Sequence, residues 1–264
     1  MRCLVIIPMY GQSNYTKKCI EMVQLNAGCE HDILVVDDGS KEPFTSLMDP
    51  MYRVEVLRLR ENTGFTNAVN KGILWAQKKG YDAVLLLNND TEGEQDFLKL
   101  LVDNMESSQD IGINGSVRIH PKKKHERLAL CGSDLIRGFQ YFSKDDIPVA
   151  PFDCNIIPFA SVLLRMDMIR EIGLLDKRYK NHCSDTAYSV KAKMNGWRVV
   201  MVPESRVIHH LSVTTIANNV LVDDDQKIWI EELAGLRYAE LMASMPLDGE
   251  AKTYGRLTFE VFKK

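Results

Sequence analysis

"DAVLLLNNDTEG", residues 82–93, is the stretch on which the fold turns. Ala83 to Leu87 form an unbroken apolar run of strand length, and Asn88, Asn89 and Asp90 end it at once. A short run that is apolar on every residue suits a strand buried on both faces, which is a parallel strand with helices above and below it. Three earlier runs are of the same kind: "CLVIIP" (3–8), "HDILVVDD" (31–38) and "RVEVLRL" (53–59). Helical spacing separates most of them. Tyr15, Cys19, Met22 and Val23 share one helical face behind Asn14 as N-cap, and Phe65, Ala68, Val69, Ile73 and Ala76 share another. Strand, helix and strand in alternation predict an α/β chain with a mostly parallel central sheet flanked by helices.

In such sheets ligands bind beyond the carboxyl ends of the strands. The polar residues here accumulate at those ends, in "PMYGQ", "DDGS", "ENTG" and "NNDTEG". Asp90 is a hard oxygen donor suited to Mg2+ or Mn2+, which commonly takes one or two protein carboxylates and completes its shell with phosphate and water; a carboxylate there also suits a turn cap. Asp37 and Asp38 are adjacent on one strand and cannot share a face. One is expected to pack inward against backbone donors, and the other to reach the crevice, where it can accept hydrogen bonds from a nucleobase or from sugar hydroxyls.

Beyond a helix at about 95–106 the pattern loosens. "IGINGSVRI" and "LIRGFQYF" read as strands, with the charge run "HPKKKHER" (120–127) as an exposed loop; without interleaved aromatic residues it does not suggest a nucleic-acid surface. "IIPFASVLLR" (156–165) reads as a strand followed by a short helix near "IGLLD", and a helix around 184–195 is stopped by Asn195 and Gly196. "RVVMV" and "SRVIHH" read as two short strands, the second ending on His209 and His210, whose side chains must point to opposite faces. An amphipathic helix is expected at 226–243, with Trp229, Leu233 and Leu236 as packing residues and the "DDD" at 223–225 complementing its dipole.

The bulk properties exclude several classes. In 264 residues, 45% hydrophobic content supplies a large core, and a net charge of −3 provides no global basic field for nucleic acid or anionic lipid. The six cysteines lack CxxC spacing, which argues against a structural zinc site or a disulfide framework and fits reduced thiols in a cytoplasm. The opening apolar run is too short for a signal-peptide core, and no segment is long enough to span a bilayer, so any work at a membrane is expected from its surface.

"VIIPMYGQ", "VVDDGS", "ENTGFTNAVNKGI" and "LLLNNDTE", in this order and spacing, resemble the donor half of the family 2 glycosyltransferases of GT-A fold, most closely the rhamnosyltransferase-like branch. The likeness continues through "FASVLLRMDMIREIGLLDKRY", "CSDTAYSVKAKMNGW" and "VPESRVIHH". It implies a nucleotide-sugar-binding half at 1–110, an acceptor-binding and catalytic half of the same domain at 111–215, and a helical extension at 216–264. Pro8 and Tyr10 would lie beside the nucleobase of a UDP- or dTDP-sugar, Asp38 would hydrogen-bond it, and Asn70 and Asn89 would complete the donor set. Asp90 matches the last acid of the family's DxD motif and would hold Mn2+ or Mg2+, with His209 beside it; the first acid is Asn88 here, and Glu92 follows the motif. Asp185 matches the family's general base, with Ser184 and Ala187 where acidic residues are usual and Lys191 where Arg is usual. The acceptor would be a saccharide or glycoconjugate, a hydroxylated base in nucleic acid also being compatible. A nucleotidyltransferase is the competing enzyme, disfavoured by the absence of a basic glycine-rich loop after the first strand, and an inactive nucleotide-sugar scaffold is the competing non-enzyme.

Overall fold

The computed structural model describes residues 1–45, 54–119, 127–134, 138–143, 148–210, 224, 225, 227, 228, 252 and 253. In chain order its elements are β1 (Cys3–Met9), α1 (Ser13–Asn26), β2 (His31–Asp37), β3 (Val54–Arg58), α2 (Phe65–Lys79), β4 (Ala83–Leu87), β5 (Thr91–Gly93), α3 (Phe97–Ser107), β6 (Ile111–Ile119), β7 (Arg127–Asp134), β8 (Gly138–Ser143), β9 (Phe152–Asp153), β10 (Ser161–Arg165), α4 (Met166–Ile172), α5 (Ser184–Met194), β11 (Arg198–His209) and β12 (Lys252–Thr253). One sheet runs through them in the order β12-β8-β7-β6-β10-β4-β1-β2-β3, with β11 joining β6 to β5 and β9. The strands β3, β2, β1 and β4 are parallel, as their apolar runs and intervening helices require. Antiparallel pairing begins where β10 enters beside β4.

The two-residue period of the strands sorts their side chains into two cores. From β1 and β4, Leu4, Ile6, Val84 and Leu86 face α2, α4 and α5, whereas Val5, Ile7, Leu85 and Leu87 face α1 and α3. The apolar half of the opening stretch is therefore a central strand covered on both sides. Its register beside β1 and β10 fixes where the polar end emerges.

Several expectations need correction. Asn14 is not the N-cap of α1: Gly11 and Gln12 both take positive φ, 66° and 55°, and this reversal starts the helix at Ser13 with Gln12 as the capping position. Tyr15 is exposed rather than part of the buried face, its ring 6.3 Å from that of His210. The third strand is a sheet edge with Val56 exposed, so its apolar composition does not reflect two-sided burial. The strand expected from 156 begins only at Ser161, because Pro158 has no N–H to give a ladder and the chain turns at Phe159 and Ala160. "RVVMV" and "SRVIHH" form one strand, β11, which pairs with β6 on both sides of a bulge between Val202 and Arg206. The proline between them interrupts the ladder without ending the strand. Of "LIRGFQYF", residues 138–142 belong to β8 and 135–137 lie outside the described residues, while β7 begins at Arg127, the last residue of the expected charged loop. The rest of that loop, Asp223 and the tail helix apart from Lys227 and Ile228, with Trp229, Leu233 and Leu236, lie outside the described residues. Among the described residues no helix is long and apolar enough to cross a membrane.

Candidate active site

The carboxyl ends of β1, β2 and β4, the last residue of β11 and the start of α5 surround one cleft of about 280 Å3. Pro8, Tyr10, Asp38, Asn89, Asp90, Asp185 and His209 all reach it. Asn70 is the one sequence-derived candidate outside the cleft wall. Its amide is used at both ends on Leu175, donating to the carbonyl at 2.8 Å and accepting from the N–H at 3.1 Å, so it braces α2 against the chain following α4.

Asp37 and Asp38 divide as their alternation requires. Asp37 turns into the protein, where it accepts from the N–H groups of Ser40 (2.9 Å) and Phe44 (3.1 Å) and from Arg58 (2.7 Å). Burial would raise its pKa, but these donors and the Arg58 charge together hold it below the usual carboxylate value. Asp38 stands at the cleft and is also braced: one oxygen accepts from the N–H and hydroxyl of Thr63 at 2.9 and 2.7 Å, the other from the Gly64 N–H at 2.8 Å. A carboxylate has about four acceptor positions. The three bonds leave Asp38 room for one further donor.

At the end of β4 the chain turns tightly, with the Thr91 hydroxyl donating to the Asn88 carbonyl at 2.6 Å and the Asn89 amide donating to Thr16 at 3.1 Å. This turn and the pairing of His209 with Thr91 bring Asp90 Oδ1 to 3.1 Å from His209 Nε2. Both residues are 6% exposed. The amide nitrogen of Asn88 lies 3.2 Å from the same Nε2. Nε2 carries either a proton for Asp90 or a lone pair for the Asn88 amide, and cannot satisfy both; Nδ1 is buried without a partner. Two donors held by one small divalent ion at about 2.1 Å and at right angles stand about 3.0 Å apart. The Asp90–His209 spacing thus fits a shared cation, which would accept the Nε2 lone pair and the carboxylate together. No group of three His, Cys, Asp or Glu converges among the described residues, so diphosphate and water would supply the remaining ligands. His210 points away and meets Glu92 at 2.8 Å.

Asp185 enters from the first turn of α5. The capping position is Cys183, at φ 59°, so Ser184 and Asp185 both lie inside the helix. Burial pushes the Asp185 pKa up, opposed by the N–H groups of Thr186 and Phe159 and by the nearby His182. It is a carboxyl poised to hold a proton more tightly than a solvated one.

Several cleft residues escaped the sequence reading, four of them with side chains of functional interest. Arg118 on β6, Phe159, Asn181 and His182 line the same space. His182 stands three residues before Asp185 and its Nε2 is buried without a partner, so "NHCSD" carried a signal; Arg118 sits in an ordinary strand pattern that offers none.

The model of the family described as Glycosyl transferase family 2 matches residues 4–173. Polyprenol monophosphomannose synthase of Mycolicibacterium smegmatis (strain ATCC 700084 / mc(2)155) is 26% identical over 229 residues, covering 83% of this chain and 82% of the relative. The dTDP-rhamnosyl transferase RfbF of Shigella flexneri is 20% identical over 179 residues, 67% of this chain and 59% of its own length. A crystal structure of GalNAc-T7 with UDP, GalNAc and Mn2+ superposes with a TM-score of 0.68 at 14% identity, over 91% of this chain and about half, 49%, of the solved one. That likeness speaks to the fold, which is of the GT-A type. The matched residues carry β1 to α4 and with them the rim formed by Asp38, Asn88, Asn89 and Asp90, and on that ground the chain belongs to glycosyl transferase family 2 and is a glycosyltransferase.

Proposed function

We propose that this chain is an inverting, metal-dependent transferase that moves a sugar from a pyrimidine nucleoside diphosphate to an acceptor hydroxyl. The observation that carries the reading is the meeting, in one cleft, of the Asp90–His209 pair with a half-buried Asp185 whose pKa is raised. The base of the donor lies against Pro8 and Tyr10, and the acceptor position left on Asp38 takes the imide N–H that uracil and thymine share. That chemistry suits both the dTDP named for the RfbF relative and the UDP in the GalNAc-T7 structure.

Asp90 and His209 would hold the divalent ion, Mn2+ or Mg2+. Such an ion supplies positive charge to the diphosphate as the bond to the anomeric carbon breaks, an interaction stronger in the transition state than in the bound donor. The amide of Asn89 and the guanidinium of Arg118 act on the same developing charge. Asp185 accepts the proton of the acceptor hydroxyl while that oxygen attacks the anomeric carbon from the face opposite the departing diphosphate. One displacement inverts the configuration and needs no covalent enzyme intermediate. The relatives named for sugar transfer favour a saccharide or glycoconjugate acceptor.

Thermal melts with UDP, dTDP, GDP and ADP, each with and without Mn2+, test the donor site. One pyrimidine diphosphate at about 100 times its Kd should stabilise by about 2.7 kcal/mol, only with metal, and the effect should vanish in Asp90→Ala. Indifference to every diphosphate would remove the metal station. Stabilisation without turnover of any nucleotide sugar would identify an inactive binding scaffold instead.

A further inference from the structure

The carboxylate of Asp225, placed by sequence among charges complementing a helix dipole, has a different use. Its Oδ1 accepts the Lys180 N–H at 2.9 Å, and its Oδ2 accepts those of Asn181 and His182 at 2.8 Å each. It is 4% exposed. Three consecutive N–H groups converging on one point form an anion-binding nest, filled here by a side chain more than forty positions away.

The turn that Asp225 holds is fastened on its other side to α2. The Lys180 carbonyl accepts from the Thr66 N–H at 3.0 Å, and the Asn181 side chain accepts from the Phe65 N–H at 3.2 Å. Two of the N–H groups that a helix start leaves without partners are satisfied in this way. Immediately downstream, Cys183 sits at φ 59°, a conformation that costs a non-glycine residue free energy and persists only when its surroundings enforce it. The strained residue launches α5 and sets the direction of Asp185. Asn181 and His182 stand in the cleft wall.

We propose that Asp225 is a positioning residue for sugar transfer. Its carboxylate locks the 180–183 turn, and through it fixes Asp185 and the His182 imidazole toward the acceptor. The inference rests on the reading of Asp185 as the base. A contribution to fold stability alone would leave the geometry at Asp185 and its kinetics untouched in the folded fraction.

The test compares the full chain with Asp225→Asn and Asp225→Glu. It combines hydrogen exchange, binding of UDP and dTDP with Mn2+, and donor turnover. Asp225→Asn replaces one oxygen by an N–H donor facing the nest. It should lose exchange protection at 180–186 only, keep nucleotide affinity within about twofold, and lower kcat by roughly 10- to 100-fold with donor KM within about threefold. Asp225→Glu, which retains the charge, should recover part of kcat. Unchanged protection at 180–186 overturns the proposal, as does kcat per folded molecule within twofold of the unaltered chain. If the unaltered chain turns over no nucleotide sugar, the functional reading falls, and the exchange measurement still decides whether Asp225 is the clamp.

Discussion

Asp185 is half-buried in the cleft wall and Asp37 is fully buried, with opposite electrostatic results. At Asp185 burial dominates and few donors oppose it, so the folded state prefers the protonated form. A carboxyl raised in this way contributes stability that is complete below its unfolded pKa and lost as pH rises through its folded pKa. Asp185→Asn should therefore melt higher than the unaltered protein at pH 7, and the difference should shrink toward pH 4. The same substitution should lower kcat by about 10²- to 10⁴-fold while nucleotide affinity stays within about twofold. In the unaltered enzyme, the acid limb of kcat should lie above the ordinary carboxylate range. For Asp37, the Ser40, Phe44 and Arg58 contacts outweigh burial, so its stabilisation is present above the unfolded pKa and lost as pH falls through the depressed folded value. Denaturation by urea at pH 7 and pH 3 should show that Asp37→Asn flattens part of the acid-side loss; an unchanged pH slope would contradict the assignment.

At the scale of elements, the site is a set of strand and helix ends held in register. β4 carries Leu85, fully buried toward α1 and α3 directly behind the Asn88–Asp90 turn. Leu85→Ala should destabilise by about 2–5 kcal/mol, read from urea midpoints, and loosen Asp90 relative to His209 enough to weaken metal-dependent nucleotide binding. The start of α2 is subject to a different constraint. Gly64 has φ 89°, and a Cβ there would stand 2.9 Å from the Lys180 carbonyl, so no other residue fits without moving the 180–183 turn. Gly64→Ala should cost roughly 1–3 kcal/mol. Because Gly64 also donates to Asp38, it should weaken pyrimidine diphosphate binding, a change that calorimetry measures directly.

For the whole molecule, the consequential feature is that one sheet runs without a break from the strands of residues 1–110 into those of residues 111–210. β10 pairs with β4 on one side and β6 on the other, so neither part buries its central strands alone. Far-UV circular dichroism and tryptophan fluorescence should report coincident urea transitions, with Trp75 sensing α2 and Trp197 the approach to β11. Two separated transitions would mean that the halves fold independently. Continuity also sets the spacing of the site's parts: His209 is the ladder partner of Thr91, the residue after Asp90, and Asp185 is fastened through its turn to α2.

The sequence by itself determined the alternating α/β architecture, the parallel strands and the rim at their ends, because period-two and period-3.6 apolar patterns are local and burial enforces them. It also supplied Asp38, Asn89 and Asp90 at the cleft, since polar groups that end apolar strands have few other uses. The tertiary structure decided what depends on contacts between distant segments. Asn70 and Asp225 carry the same polar chemistry as their neighbours, but Asn70 is turned onto Leu175 and Asp225 onto the 180–182 amides. The choice between His209 and His210 followed from the pairing of β11 with β5, and Arg118 entered the cleft through the sheet order alone. Hydrogen bonds between positions a hundred residues apart leave no periodic trace in a single chain, and only packing reveals which polar group meets which.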